Sequence, residues 1–300
     1  MKGRGAMTEQ AELNVVDGHI ELEKLPNVRD LGYLRTASGA NIRAHRLIRS
    51  GALAEASDED IRVLVDDYQV RTVIDLRTPD EQAGSPDPKD RMPEVSFYDV
   101  PILGSTTAGI TRAGEQPDIA DAPDALDAPD APEPPDAPEP PDAFSMMTHD
   151  PHQLMMELYG VMLLDDAGVK GYARFFEILL QSDDGAVLWH CSAGKDRAGL
   201  ATVLLLHVLR VSRDAITADY LVTNRYLADR LDDIRKHMPE QFQDEAALKM
   251  LQVFNSADTA FLDAGISAVE QKYGSLDRYL SEALGLDENT RDTLCNRYLE

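Results

Sequence analysis

Along this chain the spacing of apolar positions changes several times, and each change marks an element. VRTVIDLR (residues 70–77) is apolar and β-branched with few interruptions, the composition of a strand covered on both faces. GAVLWH (185–190) predicts a second buried strand. HIEL (19–22), AHRLIRSG (44–51) and VSFYDVPIL (95–103) predict three shorter ones. Between them Ile61, Leu64, Val65 and Tyr68 keep helical spacing, so DEDIRVLVDDY predicts a helix with Ser57 as its N-cap. This first part reads as α/β.

After residue 150 the period is mostly helical. Asp150-Pro151 opens a helix, because proline is tolerated at the first helical position. GYARFFEILLQ predicts another, and Asp196 to Leu209 an apolar one. Ser212 can cap a long helix through DAITADYLVTNRYLADRLDDIRKHM, and Ser275 and Asp287 cap later ones.

One segment follows neither period. From Asp121 the chain reads DAPDAL, DAPDAP, EPPDAP, EPPDA, a six-residue repeat of acid, alanine and proline. It has too little apolar surface to offset its ordering entropy, so 113–143 is expected to be a disordered insertion. A solvated linker is the plain reading; a partner-docking segment is the other. Around it, 15–300 reads as one domain after a disordered N-terminus of residues 1–14.

Charge narrows the function classes. The formal net charge is −25, and residues 115–143 hold ten carboxylates without a lysine or arginine, so the remainder still carries −15. Such a surface repels nucleic-acid backbones and anionic membranes. There is no apolar run of about 18 residues, so no membrane insertion is expected. MKGRGAMTEQAEL lacks the apolar core of a secretory signal, and two cysteines, Cys191 and Cys295, suit a reducing compartment. A cytoplasmic location is the expectation, leaderless secretion the other route. Oligomeric state stays open.

The candidate chemistry lies in WHCSAGKDRAG (189–199), which reads strand, loop, helix. A helix N-terminus presents unpaired N–H groups and partial positive charge, and a tight loop entering it forms an anion nest. Ser192, Ala193 and Gly194 are small enough for the backbone to approach an anion closely. Arg197 can grip two oxygens of a phosphate, and Lys195 adds a second charge. The same field favours a thiolate at Cys191; such sites lower cysteine pKa values to roughly 3.5–7.5. A thiolate facing a phosphomonoester can attack phosphorus, and water can then hydrolyse the phosphocysteine. The reaction calls for no metal and no cofactor. His190 is expected to hydrogen-bond the loop backbone. The plain alternative for Cys191 is a small buried hydrophobe. A zinc site on His190 and Cys191 lacks a second Cys/His pair, and arsenate reduction lacks a nearby resolving cysteine.

HCSAGKDRAG resembles the Cys-x5-Arg signature of the protein tyrosine phosphatase superfamily, and its Gly-Lys-Asp-Arg form resembles a bacterial and fungal branch with mycobacterial and Listeria members. LPNVRDLGYLRT (25–36), GALAEASDEDIRVL, VIDLRTPDE and DYLVTNRY resemble further segments of that branch. The resemblance spans roughly 20–290, apart from the insertion. It implies a twisted mixed sheet flanked by helices. It implies metal-free hydrolysis of phosphotyrosine, often of phosphoserine or phosphothreonine, and in several members of phosphoinositides. Lys195 stands where the branch is linked to charged lipid headgroups. Arg29 and Asp30 are expected to buttress the loop or touch substrate at the cleft rim. The resemblance favours Asp196 as general acid; Asp99, near a strand end, and Asp75, which could instead cap a turn, are the alternatives.

Besides the insertion, two residues depart from the pattern. Ala198 stands where most members carry a threonine whose hydroxyl helps the thiolate leave, which predicts slower hydrolysis of the phosphoenzyme. Tyr33 replaces a glycine and is expected to narrow the cleft. Together they motivate a second function, a catalytically weak phosphate-binding module. Cys295 reads as a bystander. Met146, Met147, Met155, Met156 and Met162 read as packing or as a mobile lid.

Overall fold

The computed structural model describes residues 18–104, 150–239 and 244–300. Five strands form one mixed sheet: β1 (Arg29–Asp30), β2 (Leu47–Ser50), β3 (Val70–Asp75), β4 (Ser96–Asp99) and β5 (Ala186–His190). Their order is β1-β2-β5-β3-β4, antiparallel only between β1 and β2. The expected insertion and N-terminal tail lie outside the described residues.

The two-residue period of the strands explains the layers. In β5, Val187 and Trp189 enter one apolar cluster, while Ala186 and Leu188 enter the cluster on the opposite face. Ile74 and Val73 divide in the same way on β3. Both faces are therefore covered, which is why these strands read as continuous apolar runs. The smaller cluster is closed by Ile61 and Leu64 from α1 (Asp58–Arg62) and the π-helical turn Val63–Asp67 that continues it. Ser57 caps α1 and, with Asp60, completes a capping box. A short helix, α2 (Pro79–Gly84), follows β3.

The larger cluster is covered by helices: α3 (Pro151–Leu164), α4 (Asp166–Gln181), α5 (Arg197–Val208) and α6 (Arg213–Tyr226). Then come α7 (Ala228–His237), α8 (Glu245–Asn255), α9 (Thr259–Tyr273), α10 (Leu276–Glu282) and α11 (Glu288–Tyr298). Met155 and Met162 are buried in this cluster and Met156 packs against it, so these three serve packing; Met146 and Met147 lie outside the described residues.

Two expected elements differ. HIEL forms no strand; His19 makes only an isolated bridge to Arg29. The long helix after Ser212 is two helices. The Leu227 backbone (φ −96°, ψ 0°) ends α6, its N–H still donating to the Thr223 carbonyl. Leu227 is buried at this bend, whereas α7 buries none of its own residues.

Candidate active site

The parallel strands end at one edge of the sheet, where ligand sites of α/β folds gather. His190 is the last residue of β5 and pairs in register with Ser50 on one side and Asp75 on the other. The next seven residues, Cys191 to Arg197, turn from the sheet into the N-terminus of α5.

The loop is held by its carbonyls. Ser192 O accepts from Ala52 N at 3.0 Å, Ala193 O from Asn27 Nδ2 at 2.9 Å, and Gly194 O from Arg49 Nη2 at 2.8 Å. A peptide plane that turns its carbonyl outward turns its N–H inward. Among the described residues, no protein acceptor takes the amides of residues 192–197. A run of amides without protein partners at a cleft forms an anion nest. Gly194 adopts φ +69°, and a Cβ there would lie 2.4 Å from the Ser50 carbonyl oxygen, so only glycine fits.

Cys191 is 2% exposed at the mouth of this loop. Arg197 is equally buried. Its Nη1 and Nη2 donate to the two carboxylate oxygens of Glu81 at 2.5 and 2.8 Å, and Nη2 also reaches Ser192 Oγ at 3.2 Å. Its Nε is buried with no partner among the described residues. Ser192 Oγ donates to Glu81 at 2.6 Å. Glu81 is placed by α2: Thr78 is the N-cap, and Glu81 at the third helical position closes a capping box with it. Burial disfavours the Glu81 carboxylate. The Arg197 pair and the hydrogen bonds from Ser192 and Thr78 outweigh burial and hold its pKa at about 2. The Arg197 guanidinium is pulled down by burial and pushed up further by Glu81 and Cys191, so it stays charged.

Behind the loop lies a buried charge cluster. Asp219 of α6 accepts from Arg29 Nε at 3.2 Å, from Arg49 Nη1 at 2.6 Å and from Tyr33 Oη at 3.0 Å. Arg29 also donates to Asn27, to the Asp219 carbonyl and to Thr223. Burial disfavours the Asp219 carboxylate, but the two guanidiniums hold its pKa below the usual carboxylate value. Arg29 is fully buried behind the loop, in contact with Asp219. Asp30 does not reach the cleft either: it accepts from Gly32 N and His45 N and caps the 3-10 turn Leu31–Tyr33. Tyr33 turns inward onto Asp219 and does not narrow the cleft.

The three carboxylates expected as general-acid candidates have different surroundings. Asp196 lines the cleft beside Cys191, and its Oδ1 accepts from Tyr159 Oη at 2.6 Å. Asp99 is exposed at the edge strand, pairs with Lys89 at 3.2 Å and lines a different depression. Asp75 accepts from Arg77 N and from the Arg77 guanidinium, so it caps the turn after β3. The His190 ring nitrogens lie 3.3 Å from the Cys191 carbonyl oxygen and 3.0 Å from Asp87 Oδ2. Asp75, Asp87 and His190 approach closely enough to share a metal ion. Arg77 already donates to both carboxylates and supplies the positive charge there.

Lys195 has protein partners of its own. It is 1% exposed, and its Nζ donates to the carbonyls of Phe254 at 2.6 Å and Ser256 at 3.2 Å, with Asp196 Oδ1 at 3.5 Å. It ties the loop to the end of α8 and lines the cleft together with Cys191 and Asp196. The far wall of the cleft is apolar, built from Leu227, Leu231 and Phe254, with Arg230 at the rim. Ala198 has no hydroxyl to offer, and its carbonyl accepts from Trp189 Nε1 and Thr202 Oγ1. Cys295 lies on α11 with Sγ 3.4 Å from the Val208 carbonyl, far along α5 from the loop.

Glu81, Arg49, Asn27, Asp219 and Tyr159 were not assigned from sequence. Four carried a signal, Asn27 and Asp219 by lying in LPNVRDLGYLRT and DYLVTNRY. Arg49 is a charge inside an apolar strand, and Glu81 completes a Thr-x-x-Glu capping box.

A Cys-x5-Arg loop opening a helix at the carboxyl edge of a mixed sheet defines the class: a phosphatase of the cysteine-loop architecture. Residues 20–300 match the tyrosine phosphatase family, and the chain belongs to it. Relatives agree. A Cupriavidus necator protein with a provisional tyrosine-protein phosphatase name is 30% identical over 274 residues, covering 89% of this chain and 85% of its own. A tyrosine-protein phosphatase of Nostoc commune is 29% identical over 192 residues, 64% of this chain and 53% of that protein. The triple specificity protein phosphatase PtpB of Mycobacterium tuberculosis is 33% identical over 113 residues, 35% and 40% of the two chains. The protein is accordingly a protein-tyrosine phosphatase acting on phosphorylated substrates. No described helix is long and apolar enough to cross a membrane.

Proposed function

We propose that the chain hydrolyses phosphotyrosine through a phosphocysteine at Cys191. The observation that carries this reading is the run of amides from Ser192 to Arg197 in the loop that follows Cys191, for which no protein acceptor is present among the described residues. Those donors and the Arg197 Nε suit the equatorial oxygens of a phosphoryl group as charge builds on them. Cys191 Sγ attacks phosphorus and forms the S–P bond. As the P–O bond breaks, Asp196 gives its proton to the leaving oxygen and becomes a carboxylate. Water then attacks the phosphocysteine, Asp196 takes its proton back, and the thiolate leaves with phosphate released.

Two features support a phosphotyrosine over a phosphoinositide. The Leu227, Leu231 and Phe254 wall suits an aryl ring. Lys195, the loop cation associated with lipid headgroups in the branch, is spent on backbone carbonyls. The test is hydrolysis of p-nitrophenyl phosphate and of a phosphotyrosine peptide in EDTA, wild type beside Cys191→Ser. Turnover that survives EDTA, disappears in the variant and leaves a trapped phosphocysteine in the wild type is expected. Turnover by Cys191→Ser overturns the nucleophile. Vanadate binding without any turnover favours the phosphate-binding module.

A further inference from the structure

Asp196 can donate a proton productively only if that proton sits on the oxygen facing the leaving group. Its Oδ1 is occupied. Tyr159 Oη lies 2.6 Å from Oδ1, and Tyr220 Oη lies 2.7 Å from Tyr159 Oη. Tyr159 comes from α3 and is fully buried, its ring set against Phe261 and edge-on to Tyr220. Both tyrosines belong to elements far from the loop in sequence.

With Asp196 ionised, the hydrogen bonds of this triad run in one direction. A carboxylate oxygen accepts and cannot donate. The single Tyr159 proton therefore goes to Asp196 Oδ1, and Tyr220 must donate to Tyr159. Burial first, and the Asp196 charge next, raise the Tyr159 hydroxyl well above its ordinary value, so it remains a donor through the working pH range. Tyr220 is raised too, again by burial first.

We infer that Tyr159, backed by Tyr220, is a positioning residue: by donating to Oδ1 it fixes the Asp196 carboxyl and leaves Oδ2 to carry the catalytic proton. The inference rests on Asp196 being the general acid, and the experiment separates the two.

The readout is kcat/KM for phenyl phosphate against p-nitrophenyl phosphate. The first has the poorer leaving group and depends far more on proton donation. General acid catalysis contributes roughly 10²–10⁴-fold, so Asp196→Asn is expected to lower kcat/KM for phenyl phosphate by about 10² or more and to affect p-nitrophenyl phosphate much less. Tyr159→Phe keeps the ring and removes the donor. It is expected to lower phenyl phosphate by about tenfold and p-nitrophenyl phosphate by under about threefold, taking a tenth of the general-acid effect as the share of positioning. In the double variant the selectivity should be that of Asp196→Asn alone. Equal losses for both substrates in Tyr159→Phe, with Asp196→Asn still selective, would reduce Tyr159 to a packing role and overturn the inference. An unselective Asp196→Asn would remove the general-acid reading itself, and the inference with it. Tyr220→Phe keeps the question answerable should Tyr159→Phe fail to fold, because it removes the group that backs Tyr159. A smaller loss with the same selectivity for phenyl phosphate is expected, and equal losses for both substrates overturn the inference.

Discussion

Glu81→Gln isolates the contact that aims Arg197. The change keeps the shape of the side chain and removes the charge that both guanidinium nitrogens meet at 2.5 and 2.8 Å. The Glu81 pKa falls from an ordinary 4.5 to about 2. At 1.36 kcal/mol per unit, that is about 3 kcal/mol of native-state preference for the carboxylate. Removing one partner of a buried pair costs about 3–5 kcal/mol, which agrees in size. The glutamine carbonyl still accepts from one guanidinium nitrogen and recovers part of this. We therefore expect a loss of about 2–3 kcal/mol. At roughly 2–4 °C per kcal/mol, the unfolding midpoint at pH 7 should fall by about 5–10 °C. The sign with pH follows from a depressed pKa. The Glu81 contribution is complete above about 4.5 and is lost as pH falls through about 2, so the acid side of the wild-type stability curve should be steeper than that of the variant.

Kinetics supply the second readout for this variant. A guanidinium released from its two-point clamp no longer holds its remaining donors on the phosphoryl oxygens, and kcat/KM for p-nitrophenyl phosphate should fall by about 10² at 1.4 kcal/mol per tenfold. The assays are thermal unfolding from pH 3 to 8 and initial rates on the same preparations. A double cycle with Arg197→Met should show coupling of about 2 kcal/mol. A midpoint within about 1 °C of wild type together with kcat/KM within about twofold would refute the claim that this pair holds the site.

Four further outcomes follow from the same geometry. Asp219→Asn leaves Arg29 and Arg49 buried without their shared counter-charge and should cost about 3–5 kcal/mol, read as a lowered urea midpoint or insoluble expression. Gly194→Ala places a methyl 2.4 Å from the Ser50 oxygen in a left-handed conformation; vanadate affinity measured by calorimetry should drop by about tenfold or more. Lys195→Met frees the carbonyls of Phe254 and Ser256, so KM for aryl phosphates should rise several-fold while the affinity for inorganic phosphate changes little. Ala198→Thr offers the sulfur a hydroxyl donor; if phosphoenzyme hydrolysis limits turnover, kcat should rise by up to about tenfold and the pre-steady-state burst should shrink, a hydrogen bond to a charged group being worth about 1.5–3 kcal/mol.

The chain by itself determined what depends on neighbouring residues. The uninterrupted apolar runs at 70–75 and 186–189 belong to strands covered on both faces, and Ser57, Ser212, Ser275 and Asp287 cap the helices they precede. Strand, loop and helix around Cys191 were legible for the same reason: small residues and the onset of an apolar helical period are local signals. Tertiary structure alone decided the rest. HIEL has strand composition but no neighbour to extend its single bridge, so composition could not make it a strand. The break at Leu227 has no proline or glycine to announce it; it occurs where a buried leucine turns the chain from the core face of α6 onto the wall of the cleft. Arg29 and Asp219 are 190 positions apart, Arg197 and Glu81 116 apart, and Tyr159 and Asp196 37 apart. No local period couples such pairs. They meet because burial removes water from both partners, and an ionised or hydrogen-bonding group without water must find a protein partner wherever packing brings one. The same rule sets the partners of Lys195: the loop sequence puts it in the cleft, and the fold brings it two carbonyls at the end of α8.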